Sequence, residues 1–160
     1  MNPKKLYGFN AYDEHFNLKV PIAIRFAILF GIKNLFLIFL AFNPSQRLSG
    51  SGIGLFKDIV NPWILFSDLF AAIVLLSWIK RDIKAGELWR KLWLHGRELL
   101  LISYFYHILY VSFFLITSTR IDESLGWFSL LMVLIDILVI RYLIISPIAT
   151  DLFRDFPAKN

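Results

Sequence analysis

No cysteine occurs among the 160 residues. Disulfides and thiolate metal sites are excluded, and cysteine usage carries no sign of a redox compartment. Signal-peptide features are missing as well. The opening MNPKKLYGFNAYDEHFNLKV is polar and lacks the charged start, apolar core and small-residue cleavage site of a leader. The first apolar segment is therefore expected to remain in the protein as an anchor. His-Glu-x-x-His zinc spacing is absent. The glycine-rich stretch RLSGSGIGLFKDIVNP (47–62) lacks the Gly-Lys-Ser/Thr ending of a phosphate-binding loop and follows no strand pattern. It reads as a flexible connection that re-enters an interface near Ile53–Phe56. A bis-histidine haem site needs a second histidine at the depth of His107, and His15 and His95 lie outside the apolar runs. Ser103 and Ser112 are ordinary helix-packing residues, so no Ser-His-Asp set stands out. The expectation is a chain with no cofactor, no metal ligand and no catalytic residue.

What the chain does contain is apolar surface. Apolar residues make up 58% and aromatics 17% of the sequence, and the mean hydropathy is +0.63. Soluble domains average about 45–50% apolar. A soluble domain of this size has too little interior for the excess, so the composition points to lipid as the solvent. About 20 apolar residues at 1.5 Å per residue cover a hydrocarbon core of about 30 Å. Four such runs occur, at about 22–42, 62–79, 99–117 and 125–145. They are too long and too continuous for strands. Pro21 opens the first run, and Pro147 is expected to end the fourth. The whole chain, 1–160, reads as one all-α membrane domain of four transmembrane helices.

Net charge is +5, and its distribution says more than its sum. Lys80, Arg81, Lys84, Arg90, Lys91 and Arg97 crowd the middle connection. Lys4, Lys5 and Lys19 precede the first run, and Arg154 and Lys159 follow the last. The other two connections carry only Arg47, Lys57 and Arg120. The positive-inside rule then puts both termini and the middle connection in the cytoplasm. Trp63, Trp78 and Trp127 fall at run ends, where amphipathic rings prefer the headgroup region.

The middle connection, KRDIKAGELWRKLWLHGRE (80–98), has Trp89, Leu92 and Trp93 at helical spacing amid basic residues. This is the pattern of a basic amphipathic helix lying in the interface between spans two and three. Its Trp and Leu dip into the acyl boundary, and its Lys and Arg meet anionic headgroups. Basic and aromatic residues together also suit nucleic acid, but topology accounts for the charge and no nucleic-acid partner is expected. A docking surface for a membrane-protein partner built on Trp89, Arg90 and Trp93 is the competing use.

Residues 131–145, LMVLIDILVIRYLII, carry an acid and a base inside an apolar run. Arg141 stands near the cytoplasmic end and can snorkel, as can Arg25. Asp136 is deep, at about the level of Lys33 and His107, whereas Asp68 lies nearer the outer face. A charge at the bilayer centre costs about 2.5–3.5 kcal/mol on insertion scales, so it seeks partners. Asp136 is expected to pair with Lys33 or His107, and Asp68 to reach Lys33 or Asn34. These contacts act as interhelical glue, or as a proton or ion relay, or as a surface matched by a partner's helix.

The two ends, YDEHFNLKVP (12–21) and SPIATDLFRDFP (146–157), with four runs between them, resemble the YfeZ-like family of small bacterial inner-membrane proteins. The resemblance spans nearly the whole chain and implies a bacterial inner-membrane location. It supplies no activity and no catalytic residue. Asp13 with Arg154, or Lys19 with Asp155, can clasp the termini, and Asp13, Arg154 and Phe156 can serve a docking partner. The functional expectation is a non-catalytic accessory or assembly subunit of a larger membrane complex. The alternative is a small oligomeric transporter or channel using Lys33, Asp68, His107 and Asp136. An enzyme acting on lipid ranks below both, because Asp68 and Asp136 sit too deep for a headgroup substrate.

Overall fold

The computed structural model describes residues 7–12, 17–42, 62–82, 84–117 and 123–157. Among these residues there is no strand, only an isolated antiparallel bridge between Tyr12 and Leu18. The chain is a helical bundle. Helices α1 (Ile22–Gly31) and α2 (Lys33–Phe42) are followed by α3 (Leu65–Ile79), which a 3-10 turn at Pro62–Ile64 leads in. A short α4 (Glu87–Leu94) precedes α5 (Gly96–Thr117), α6 (Glu123–Ile145) and α7 (Pro147–Arg154).

Among the described residues, three helices are long and apolar enough to cross a membrane: Pro62–Ile79, Gly96–Thr117 and Gly126–Ile145. No more than 33% of each apolar window is buried inside the molecule. The remainder, including Leu69, Leu76, Ile102, Phe105, Leu109, Leu134 and Ile137, faces outward. Apolar side chains on the outside of a bundle suit lipid rather than water.

The run at 22–42 is not one continuous helix. It breaks at Ile32, whose amide turns back to the Leu29 carbonyl at 3.3 Å in a tightened last turn. The middle connection also differs from a single helix over 80–98. Residues 80–82 and 84–86 are not helical, α4 spans only Glu87–Leu94, and α5 begins at Gly96. Beyond Ile145 the chain does not simply stop being helical. Ser146 caps a new helix, its side chain accepting from the Ala149 amide at 3.4 Å, and Pro147 occupies the first turn.

The core lies where α1, α3 and α5 meet. Ile24, Ile28, Val74 and Leu100 are buried there, with Tyr104, whose hydroxyl donates to the Ala27 carbonyl. Gly31 permits the closest approach: a Cβ at this position would stand 2.6 Å from the Ala71 Cβ. Small residues at such crossings let helix backbones approach in lipid. Gly31→Ala is expected to cost roughly 1–3 kcal/mol by overpacking, and Ala71→Gly in the same chain to recover part of it. Thermal unfolding in detergent micelles checks both.

Candidate functional site

Two polar clusters sit inside the bundle. The first joins three helices. Lys33 of α2 donates to Asp136 Oδ1 of α6 at 3.3 Å. His107 of α5 meets Asp136 Oδ2 through its Nδ1. Asp136 is completely buried and His107 nearly so. The Lys33 ammonium also lies 4.5 Å from the centre of the Phe30 ring and 5.8 Å from that of Tyr104, where the negative ring faces add to its stabilisation.

The second cluster is built on the helix break. Asp68 of α3 takes the Asn34 side-chain amide at 2.8 Å on Oδ1 and the Leu35 backbone amide at 2.7 Å on Oδ2. The Leu35 amide belongs to the first turn of α2, where no carbonyl within the helix is available. Asp68 therefore caps α2 from a neighbouring helix, with its negative charge at the positive end of the helix dipole. Ser67 completes the shell by donating to Asp68 Oδ1 at 2.9 Å and to the Ile64 carbonyl at 2.6 Å. The break and its carboxylate stand one residue from Lys33, so the two clusters are joined through α2.

A third constellation lies at the end of the bundle where the N-terminal stretch, α4 and α7 converge. Trp93 is fully buried. Its Nε1 donates to the carbonyls of Leu152 at 3.1 Å and Asp155 at 3.2 Å, and its ring packs 4.9 Å from that of Phe153. Arg81 lies 5.2 Å from the Trp93 ring and donates to the carbonyls of Leu18 at 2.9 Å and Asp155 at 3.0 Å. The Asp155 carboxylate takes the Leu18 amide at 2.7 Å and pairs with Arg81 at 3.5 Å. Arg90 lies over Phe156 and donates to the Pro157 carbonyl at 3.1 Å. Tyr7 donates to Asp151 at 2.7 Å. Desolvation first, and then this hydrogen bond and the charge of Asp151, push its phenol up to about 12. The raised value means that this contact is intact below pH about 10 and is lost as pH rises through the folded value.

A family model described as "Protein of unknown function (DUF2919)" matches residues 7–155. The chain belongs to this family. The match to DUF2919 takes in both interior clusters and the end constellation from Tyr7 to Asp155, short of Phe156 and Pro157. No curated protein and no solved structure matches the chain.

The DUF2919 fold gathers Lys33, His107 and Asp136 into one site and sets Asp68 in the adjoining one. It uses the end-residue candidates differently from the sequence expectation. Trp93 faces the protein interior and not an acyl boundary, because α7 and the residue that follows it supply its ring partner and its carbonyls. Trp89 is half-buried. Arg90 and Phe156 contact each other. Arg154 and Lys19 are exposed, and Asp155 joins Leu18 and Arg81. Asp13 lies outside the described residues, as do the stretch 43–61 and Arg120. Sequence reasoning did not single out Arg81, Asp155 and Tyr7 as one constellation, nor α7 as a helix. Ser146-Pro147 ahead of Ile148 and Leu152 is a helix-start signal that marks it.

Proposed function

We propose that the protein is a four-span, non-catalytic component of the bacterial inner membrane, serving as an accessory or assembly subunit of a larger membrane complex. In this reading α1 and α2 form one broken span. Two ten-residue halves plus Ile32 reach about 30 Å at 1.5 Å per residue, the thickness of the hydrocarbon core. The basic connection containing α4 and both termini face the cytoplasm under the positive-inside rule, where exposed Lys84 and Lys91 meet anionic headgroups and a partner protein. The likeness of the ends to YfeZ-like inner-membrane proteins supports the same location.

One observation carries the reading. The deep charges are spent on one another: Asp136 is held by both Lys33 and His107, and Asp68 by Asn34, Ser67 and the α2 amide. Groups engaged in this way hold helices together, as interhelical polar contacts do in membranes. A small oligomeric transporter is the second reading. Its support is the helix break beside a buried charge, since discontinuous spans commonly border transport sites.

Purification in mild detergent and reconstitution separate the two. The subunit reading expects a stoichiometric second membrane protein by native mass spectrometry, and no proton or ion flux in liposomes holding the pure chain. Flux that disappears in Asp136→Asn, from a homo-oligomer, sinks it and establishes the transporter.

A further inference from the structure

We propose that the seam between α1–α2 and α5–α6 is a binding site for a lipophile with a phenolic head, the chemistry of a reduced membrane quinone. The seam holds a cavity of about 460 Å³, within the range of pockets that hold one small organic ligand. Its walls are mostly aromatic and aliphatic, with Phe26, Phe30, Phe36 and Phe128 among them, and Lys33, Asn34, Ser129 and His107 are its polar members. Phe26 and Phe36 also stand on the outer apolar surface. The cavity therefore opens sideways, and a ligand can leave its tail among lipid chains while its head goes in.

The chemistry of the head follows from His107, which lines the cavity and is 3% exposed. Its Nδ1 is committed to Asp136. The opposite edge of the ring, with Nε2, is the part left for the cavity, and no hydrogen-bond partner occupies it among the described residues. Lys33 and His107 both meet Asp136, so the Nδ1 edge of the imidazole is taken up within the cluster. A neutral imidazole that donates from Nδ1 presents a bare lone pair at Nε2. The matching ligand group is a hydroxyl. A carboxylate offers a second acceptor and an unbalanced charge in a medium of low dielectric, which is costly. Among hydroxyl-bearing lipophiles, the ring of a phenol suits walls built of phenylalanine, which favour offset or edge-to-face stacking.

The proposal goes beyond the subunit reading and does not depend on a partner. The test is equilibrium binding of 4-decylphenol to the purified full chain in nanodiscs, with decylbenzene and decanoate as comparison ligands. The phenol is expected to bind saturably and roughly tenfold more tightly than decylbenzene, the worth of one buried hydrogen bond. His107→Phe is expected to erase that preference. Met132→Trp, which fills the cavity and leaves Lys33, His107 and Asp136 unsubstituted, is expected to abolish binding and to keep the proposal testable should His107→Phe fail to fold. Non-saturable uptake overturns the assignment. So does equal binding of decylbenzene, stronger binding of decanoate, or binding unchanged by Met132→Trp.

Discussion

Asp136→Leu is expected to destabilise the protein by about 3–5 kcal/mol, the cost of removing one partner from a buried ion pair. The substitution removes a completely buried carboxylate and leaves two helices without their common acceptor. Lys33 loses its carboxylate partner, and the Phe30 and Tyr104 rings make up for it only in part. Each ring contact contributes on the order of 0.5–2 kcal/mol. Lys33→Met alone is expected to cost less, because Asp136 retains His107. The double variant Lys33→Met with Asp136→Leu is expected to recover most of the loss, since an apolar pair of similar volume replaces a desolvated ionic one. Unfolding of the four proteins in one detergent, read as a double-mutant cycle, checks this. A Lys33→Met variant less stable than Asp136→Leu would show that the lysine does more than pair with the acid.

Trp93→Ala is the second large effect, expected at about 3–5 kcal/mol for loss of a fully buried tryptophan. The ring fills the space against Phe153 and lies beside Arg81, while Nε1 satisfies two carbonyls at the end of α7. Its removal leaves a cavity and two carbonyls without that donor. Trp93→Phe retains much of the packing and loses the donor, so its expected cost is roughly 1–3 kcal/mol. Because α4 and α7 meet through this residue, the damage is expected to be local. Limited proteolysis near Arg154 should accelerate in Trp93→Ala and stay slow in Trp89→Ala, whose side chain is only half-buried. Equal cleavage of the two variants would contradict this account.

These two residues also show where sequence reasoning succeeds and where it stops. Asp136 was legible because a carboxylate in an apolar run needs partners, and Lys33 and His107 are at matching depth. The three long helices were legible because length and hydropathy are local properties. Trp93 was misread for the opposite reason. Its periodicity with Trp89 and Leu92 describes an apolar stripe, but a stripe does not say whether lipid or protein covers it. The cover is α7, 59 residues further along. The break at Ile32 is not legible either, on the same ground. Gly31 alone does not end a helix in lipid, and the capping carboxylate lies 33 residues away from Leu35. The sequence offers Asn34 as a partner for Asp68, while the backbone amide beside it has no sequence signature.

The Lys33–Asp136 contact joins residues 103 positions apart, and a ribosome makes them in that order. When the first half of the bundle has been synthesised, Asp68 can already seal the start of α2, but Lys33 has neither His107 nor Asp136. The lysine is a debt carried through synthesis until α6 arrives. Assembly thus has a built-in sequence, with the seal first, the imidazole next and the carboxylate last. A chain that ends before α6 lacks the carboxylate that Lys33 meets in the finished bundle. The ion pair therefore closes the bundle only once its last long helix is in place.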